Sequence, residues 1–356
     1  MKSYILTKPL SRSLYEQIRE DIITKEIAPH TRLPSKRELA SHLKVSLITV
    51  EHALDQLEAE GYIEARTRSG TYVLPQPSYK KQSEPFEIKW LEEEPAAPVS
   101  DFPGSLWYRT LRHVITTESD RLLQKSPSKG CARLRNAIAA YLFESRGMKV
   151  QPSQVIVSSG AESLYQIVLR MFDSIESIAI EDPCYQQIPR IYAAHHIHVH
   201  PLPILEDGIE SEALNGCQAN ILHVTPFLSV PSGFTASASK RHEYLEWAYR
   251  NKAYILEDDY NSEFFQSGPP LPTLYSLDHN HQVIYMNTFS KSLSPSLRAG
   301  YMVLPEHLLD LYEEKAGMFS NTVPLLEQYT LAEFISNGSF ERLLSRKRRN
   351  QSRPLK

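Results

Sequence analysis

The feature that most constrains the fold is a change of hydrophobic rhythm along the chain. From about residue 105 onward, helix-periodic segments alternate with short, nearly continuous apolar runs. The runs are Val155–Val157, Ile178–Ile180, Ile221–Val224, Ala253–Leu256, Val283–Met286 and Tyr301–Leu304. A strand that is apolar on both faces has to be covered on both faces. Helices inserted between such strands predict a largely parallel sheet in a three-layer α/β domain. Residues 1–75 lack such runs and show helix periodicity. Between the two zones, residues 76–104 carry Pro77, Pro85, Pro95, Pro98 and Pro103 and the acidic run Glu92-Glu93-Glu94, the composition of a linker. At 356 residues the chain has room for more than one domain. The expected division is 1–75, a linker over 76–104, and 105–356.

In the first zone Leu14, Ile18 and Ile22 recur at helical spacing. Ser35-Lys36-Arg37-Glu38 is a capping box that opens a second helix with Leu39 and Leu43 inward. After a break at Lys44-Val45, Ser46 caps a third helix with Val50, Ala53, Leu54 and Leu57 as its apolar stripe. Two short helices joined by a tight turn form a helix-turn-helix, and Tyr62–Val73 around Arg68-Ser69-Gly70 reads as a wing hairpin. Ser46, Thr49 and His52 then lie where base edges are read. Lys36, Arg37, Arg66 and Arg68 lie where phosphates are held, and Ser35 and Gly70 belong to the same expected DNA-binding set. Charge alone does not decide between DNA binding and an ordinary three-helix subdomain: residues 1–75 hold 11 basic and 10 acidic residues. The whole chain has a net charge of −3, which excludes a globally basic coat but not a local patch.

Arg32-Leu33-Pro34-Ser35-Lys36-Arg37-Glu38-Leu39-Ala40, Val45-Ser46, Thr49-Val50, Leu57–Tyr62 and Ser69–Val73 together closely resemble the GntR-type winged helix. The family usually places an arginine after the serine that opens the third helix. Leu47 stands there in this chain, so a phosphate or guanine contact is missing.

In the large zone, Val155–Val157 leads into Ser158-Ser159-Gly160-Ala161 and a helix, a turn suited to an anion but also to tight packing. Glu257-Asp258-Asp259-Tyr260 closes one strand, and Ser290-Lys291 follows another, with Arg298 beyond. Ligands bind at that edge of an open parallel sheet. A lysine there is suited to Schiff-base chemistry, although most lysines are simply surface residues. Together with Glu181-Asp182-Pro183-Cys184-Tyr185, these elements in this order resemble fold-type I pyridoxal 5′-phosphate (PLP) aminotransferases. The resemblance implies that Lys291 forms the internal aldimine, Asp258 pairs with the pyridine nitrogen and Tyr260 bonds the ring oxygen. It implies that Tyr185 stacks on the ring. Ser159, Gly160, Ala161, Ser290 and Arg298 would hold the phosphate.

A GntR-like winged helix, a linker and an aminotransferase-like domain resemble the MocR/GabR-type regulators. Glu257–Phe264 matches that subfamily's E-D-D-Y-D-S-E-F apart from Asn261, and Thr225-Pro226 with Pro231-Ser232-Gly233 matches its T-P…P-[ST]-G element. Leu228-Ser229 replaces the usual His-Gln. Family members continue well past the helix with which this chain ends, so the resemblance implies an incomplete small subdomain, and no effector-gripping arginine is carried over. It implies a cytoplasmic, homodimeric, PLP-dependent transcriptional regulator of vitamin B6, amine or amino-acid genes. Operator DNA and an amine or amino-acid effector are the expected partners, and PLP serves sensing rather than turnover. The alternative is a PLP-dependent aminotransferase with an appended DNA-binding domain.

Three cysteines, Cys131, Cys184 and Cys217, make no disulfide framework and fit a reducing cytosol. No secretory leader or membrane span is expected. His196, His198 and His200 share one face of an expected half-exposed strand, with no second cluster to complete a metal site. Residues 341–356 hold seven basic residues against one acidic and read as a solvated helix face.

Overall fold

The computed structural model describes residues 4–67, 69–76, 91, 102–264 and 271–351. The chain divides into two compact units, Met1–Pro95 and Ala96–Lys356.

The first unit is α1 (Leu10–Ile23), α2 (Lys36–Leu43), α3 (Leu47–Ala59) and the antiparallel pair β1 (Ile63–Arg66) and β2 (Gly70–Val73). The capping box forms as expected. Ser35 Oγ accepts from the Glu38 amide, and the Glu38 carboxylate accepts from the Ser35 amide at 2.8 Å. Lys44 takes a left-handed conformation (φ +53°), which stops α2 and turns the chain into α3. Leu14, Ile18, Leu39, Val50, Leu54 and Leu57 meet in one core with Ile63 and Val73 of the hairpin.

The second unit opens with α4 (Gly104–Thr117), α5 (Ser119–Leu122) and α6 (Ala132–Arg146). Then come β3 (Val155–Ser158), α7 (Ala161–Met171), β4 (Ser177–Asp182), α8 (Gln187–Ala194), β5 (His198–Leu205), β6 (Gly208–Ile209) and α9 (Ser211–Gly216). They are followed by β7 (Ile221–Val224), α10 (Ala238–Asn251), β8 (Tyr254–Asp258), α11 (Leu274–Leu277), β9 (Val283–Thr288) and β10 (Gly300–Val303). The unit closes with α12 (Leu309–Lys315), α13 (Leu325–Ser336) and α14 (Ser339–Gln351).

The eight strands run in the order β3-β10-β9-β8-β7-β4-β5-β6. The pairs from β9 to β5 are parallel, while β10 is antiparallel to both β3 and β9. All six expected apolar runs are strands, and β6 is added as a short antiparallel edge. Side chains alternate across the sheet, so the strands feed separate cores. Val155, Val157, Tyr285 and Tyr301 pack with α6 and α13. Ile156, Ile180, Met286 and Met302 pack with α7. Leu222, Ile255 and Val283 pack with Trp247 of α10.

The described basic residues of the tail lie on the outer side of α14, with Arg342, Arg346 and Arg349 exposed, while its other side is buried. Phe340, Leu343 and Leu344 of α14 are buried, and Arg348 Nε donates to the Glu263 carbonyl at 2.6 Å. The apolar positions of α14 outweigh its charge in setting its orientation. His198 and His200 sit edge to face, with centroids 4.4 Å apart. Among the described residues no group of three or more His, Cys, Asp or Glu side chains is arranged to hold a metal, and no helix is long and apolar enough to cross a membrane.

Candidate functional site

The parallel strands deliver Glu181, Thr225, Asp258 and Thr288 to one edge of the sheet, the carboxyl edge where open α/β sheets bind ligands. A cavity of about 360 Å³ lies there. Its walls include Ala161 and Tyr165 of α7, Tyr185, Ile188 of α8, Val230, Asp258, Tyr260, Thr288, Ser290 and Arg298.

The acidic run sorts by the period of two. Asp258 and Tyr260 line the cavity. Glu257 and Asp259 point away from it into buried structural contacts. Glu257 accepts from the Leu274 and Tyr275 amides at 2.8 and 2.9 Å, which holds α11. Asp259 accepts from Tyr285 Oη at 2.9 Å and pairs with Arg146 at 3.0 Å. Burial pushes Glu257 up to about 7, with the neighbouring Asp259 charge adding to the shift.

Asp258 is 2% exposed. Its Oδ2 accepts a 2.5 Å hydrogen bond from Tyr165 Oη and lies 3.8 Å from His223 Nε2. Its Oδ1 is buried with no hydrogen-bond partner. Tyr192 Oη and His223 Nδ1 share a 2.7 Å bond behind it. A buried carboxylate oxygen with no partner is costly. Here that oxygen belongs to a residue lining the cavity. Burial, with the Asp258 charge second, pushes the Tyr165 and Tyr260 hydroxyls well up, so both stay protonated as donors. Glu181 is buried and accepts from Ser229 Oγ at 2.6 Å; burial pushes it up to about 7 against that hydrogen bond.

At the start of α7, Gly160 has φ +86°, and a Cβ there would lie 3.5 Å from Arg298 Nη2. Arg298 is ion-paired with Glu162 at 3.2 Å, with both side chains about half exposed. The free amides of the first turn of α7 and a guanidinium therefore converge.

Of the nine residues expected at a cofactor, Ala161, Tyr185, Asp258, Tyr260, Ser290 and Arg298 line the cavity, and Gly160 abuts Arg298. Two stand apart from its lining. Ser159 Oγ accepts from Thr322 Oγ1 at 2.8 Å. Lys291 Nζ donates to Asn261 Oδ1 and lies 5.1 Å from the centre of the Phe264 ring. Burial lowers the Lys291 amine, and the Glu263 charge opposes that shift. Tyr185 lines the cavity and is 54% exposed. Sequence reasoning missed Tyr165, Tyr192, His223 and Thr288. In the sequence Tyr165 is one apolar position in the stripe of α7, and nothing local marks its hydroxyl as facing a carboxylate 93 residues away.

In the first unit, several expected DNA-contact residues have internal partners. Ser46 Oγ accepts from the Thr49 amide at 3.1 Å and pairs with Thr49 Oγ1 at 2.7 Å. Ser35 is committed to its capping box. Lys36 Nζ is 3.3 Å from Asp55, and Arg66 pairs with Glu64 at 2.9 Å and lies over the Tyr72 ring. Arg37 and His52 are exposed. Gly70 has φ +116°, and a Cβ there would lie 2.7 Å from Arg32 Nε. Arg32, which the expected set omitted, thus lies across the hairpin. Arg68 lies outside the described residues.

Residues 10–73 match the family described as bacterial regulatory proteins, gntR family. Residues 102–353 match aminotransferase class I and II. The chain is 36% identical over 353 residues to the uncharacterized HTH-type transcriptional regulator YdeL of Bacillus subtilis, covering 96% of this chain and 76% of that one. It is 34% identical to the probable rhizopine catabolism regulatory protein MocR of Rhizobium meliloti, covering 96% and 74%. It is 32% identical to the HTH-type pyridoxine biosynthesis transcriptional regulator PdxR of Corynebacterium glutamicum, covering 94% and 75%. Among solved structures, an archaeal alanine:glyoxylate aminotransferase superposes with a TM-score of 0.63 at 22% identity. That match covers 68% of this chain and 62% of the aminotransferase, and it shows a shared fold.

Proposed function

The chain belongs to the MocR-type family of HTH transcriptional regulators, in which a GntR winged helix is joined to an aminotransferase class I and II domain, and from that premise we propose that its large domain binds PLP to control operator binding by the winged helix. The observation that carries the cofactor reading is the unpartnered, buried Oδ1 of Asp258 in the wall of the cavity. A carboxylate held in this way suits a protonated ring nitrogen. PLP, when bound, supplies an aldehyde for a lysine amine and a ring that withdraws electrons.

The chain's own residues divide the remaining work. Tyr165 donates to Asp258 Oδ2 and leaves Oδ1 for the ligand. Tyr260, kept protonated, donates a hydrogen bond into the cavity, and Tyr185 offers an exposed ring to stack on. Gly160, Ala161, Ser290 and Arg298 suit a phosphate, with Arg298 exchanging Glu162 for it. Lys291 holds its amine on a neutral amide oxygen beside an aromatic ring, and its lowered pKa favours the nucleophilic form. The Ser159 side chain, bonded to Thr322, is assigned to the turn rather than the phosphate.

We assign the first unit to operator DNA, with Arg32 and Arg37 as phosphate contacts and His52 at base edges. The effector is an amine or amino acid, the assembly a homodimer and the compartment the cytoplasm. Ligand control requires that PLP, or PLP with effector, favour one arrangement of the winged helices over another. Absorbance of the purified chain with PLP, then borohydride and peptide mapping, tests the reading. An adduct fixed on Lys291 supports it, and folded protein with no adduct removes the cofactor. Transamination of added amino acids over many turnovers would instead favour the enzyme reading, which the aminotransferase fold permits.

A further inference from the structure

The helix that follows the turn in the first unit, α3, contains no lysine or arginine along its whole length, Leu47–Ala59. Its inward stripe of Val50, Ala53, Leu54 and Leu57 is buried. In its first turn, Ile48, 63% exposed, stands opposite that stripe and Leu47, 39% exposed, stands at its margin, and neither joins the core of the unit. The hydroxyls of that turn are spent locally, since Ser46 and Thr49 bond each other and cap the helix. His52, a turn farther on, is exposed and adds one polar group, and Asp55, a turn beyond that, is paired with Lys36. What the start of α3 offers outward is therefore aliphatic.

In a helix-turn-helix the first residues of the second helix meet base edges in the major groove. Bidentate reading of guanine needs an arginine or lysine, which α3 lacks. The one apolar group that a base edge presents in that groove is the C5-methyl of thymine. We propose that Leu47 and Ile48 read thymine methyl groups, so that α3 selects T·A pairs by apolar contact. The inference rests on the DNA-binding reading above. It adds which base is chosen and by which atoms. Phosphate contacts such as that assigned to Arg37 set affinity without setting this choice.

The test uses the full chain. Duplexes selected from a random pool at fixed salt give the preferred site. Each thymine is then replaced singly by deoxyuridine, which removes only the methyl. Binding is expected to weaken about fourfold at one or more positions of each half-site, the value of one buried methyl-sized group. In Leu47→Ala or Ile48→Ala the corresponding loss disappears while the chain remains folded. Leu47→Arg shifts the selected base at that position towards guanine.

Equal tolerance of uracil at every position overturns the inference. So does an undiminished loss in both alanine variants, because the methyl would then act through DNA shape. If Leu47→Ala and Ile48→Ala abolish self-association of the free chain and leave the uracil profile unchanged, the patch is a contact between copies and the inference fails. A wild-type chain that binds no duplex removes the DNA-binding reading itself, an outcome distinct from each of these.

Discussion

Asp258 and Glu181 are both carboxylates at the carboxyl edge of the sheet, yet their surroundings set them different tasks. Asp258 has one oxygen engaged by Tyr165 and one oxygen bare. Asp258→Asn keeps the shape and removes the charge. Equilibrium dialysis is expected to show PLP affinity down at least ~10-fold, the loss of a charge-assisted bond, with DNA binding in the absence of PLP unchanged. Equal affinity in the variant would sink the assignment. Glu181 is raised from 4.5 to about 7, chiefly by burial. Its folded form thus keeps a proton that the unfolded chain gives up near 4.5. The folded state binds more protons across that window, so stability falls as pH rises from about 4.5 to about 7. In Glu181→Gln the fall between pH 5 and 7.5, read by urea unfolding, is expected to shrink by on the order of 2–3 kcal/mol. A residual slope of the same sign remains, because burial also raises Glu257 and Glu263. An unchanged slope would show that Glu181 is ionised in the folded protein.

At the scale of elements, local signals and long-range ones part company. The capping box at Ser35 lies in four consecutive residues, and α2 starts where it says. Ser35→Ala is expected to cost about 1 kcal/mol of the first unit's stability, measured by thermal unfolding. No change would mean that tertiary packing alone fixes the start of α2. The strands were equally legible, because a strand buried on both faces advertises itself as an apolar run. At the end of β8 and just beyond it the alternation even sorts four neighbouring polar residues, sending Asp258 and Tyr260 to the cavity and Glu257 and Asp259 to Arg241 and Arg146. The carboxylate's supports were not legible. Tyr165 and Tyr192 belong to amphipathic helices whose stripes look like ordinary core, and His223 sits in a strand. Their hydroxyls and ring nitrogen acquire partners only once α7, α8 and β7 are brought together. In the tail the charge count marks the exposed side of α14 and says nothing of the side on which Leu343 and Leu344 are buried.

The whole molecule consists of two units with separate cores, one of them carrying the cavity. Scanning calorimetry of the full chain is expected to give two transitions. PLP at about 100 times its dissociation constant would stabilise only the larger unit, by about 2.7 kcal/mol. A single transition that PLP moves as a whole would mean that the two cores unfold together. The place of β10 in the sheet has a further consequence, which concerns the chain before it is finished. β3, near the beginning of the large unit, finds its partner in β10, with Val155 paired to Val303. Helix α6 likewise waits for α13, to which Arg133 is tied through Glu333 at 2.6 Å. At roughly 5–20 residues per second, a ribosome needs on the order of ten seconds or more to supply those partners. Throughout that interval β3 has no strand partner, and the side of α6 that α13 covers stays exposed. The nascent large unit is therefore expected to expose that surface until late in synthesis, whereas the winged helix, whose elements all lie between Leu10 and Val73, can fold as soon as it clears the exit tunnel.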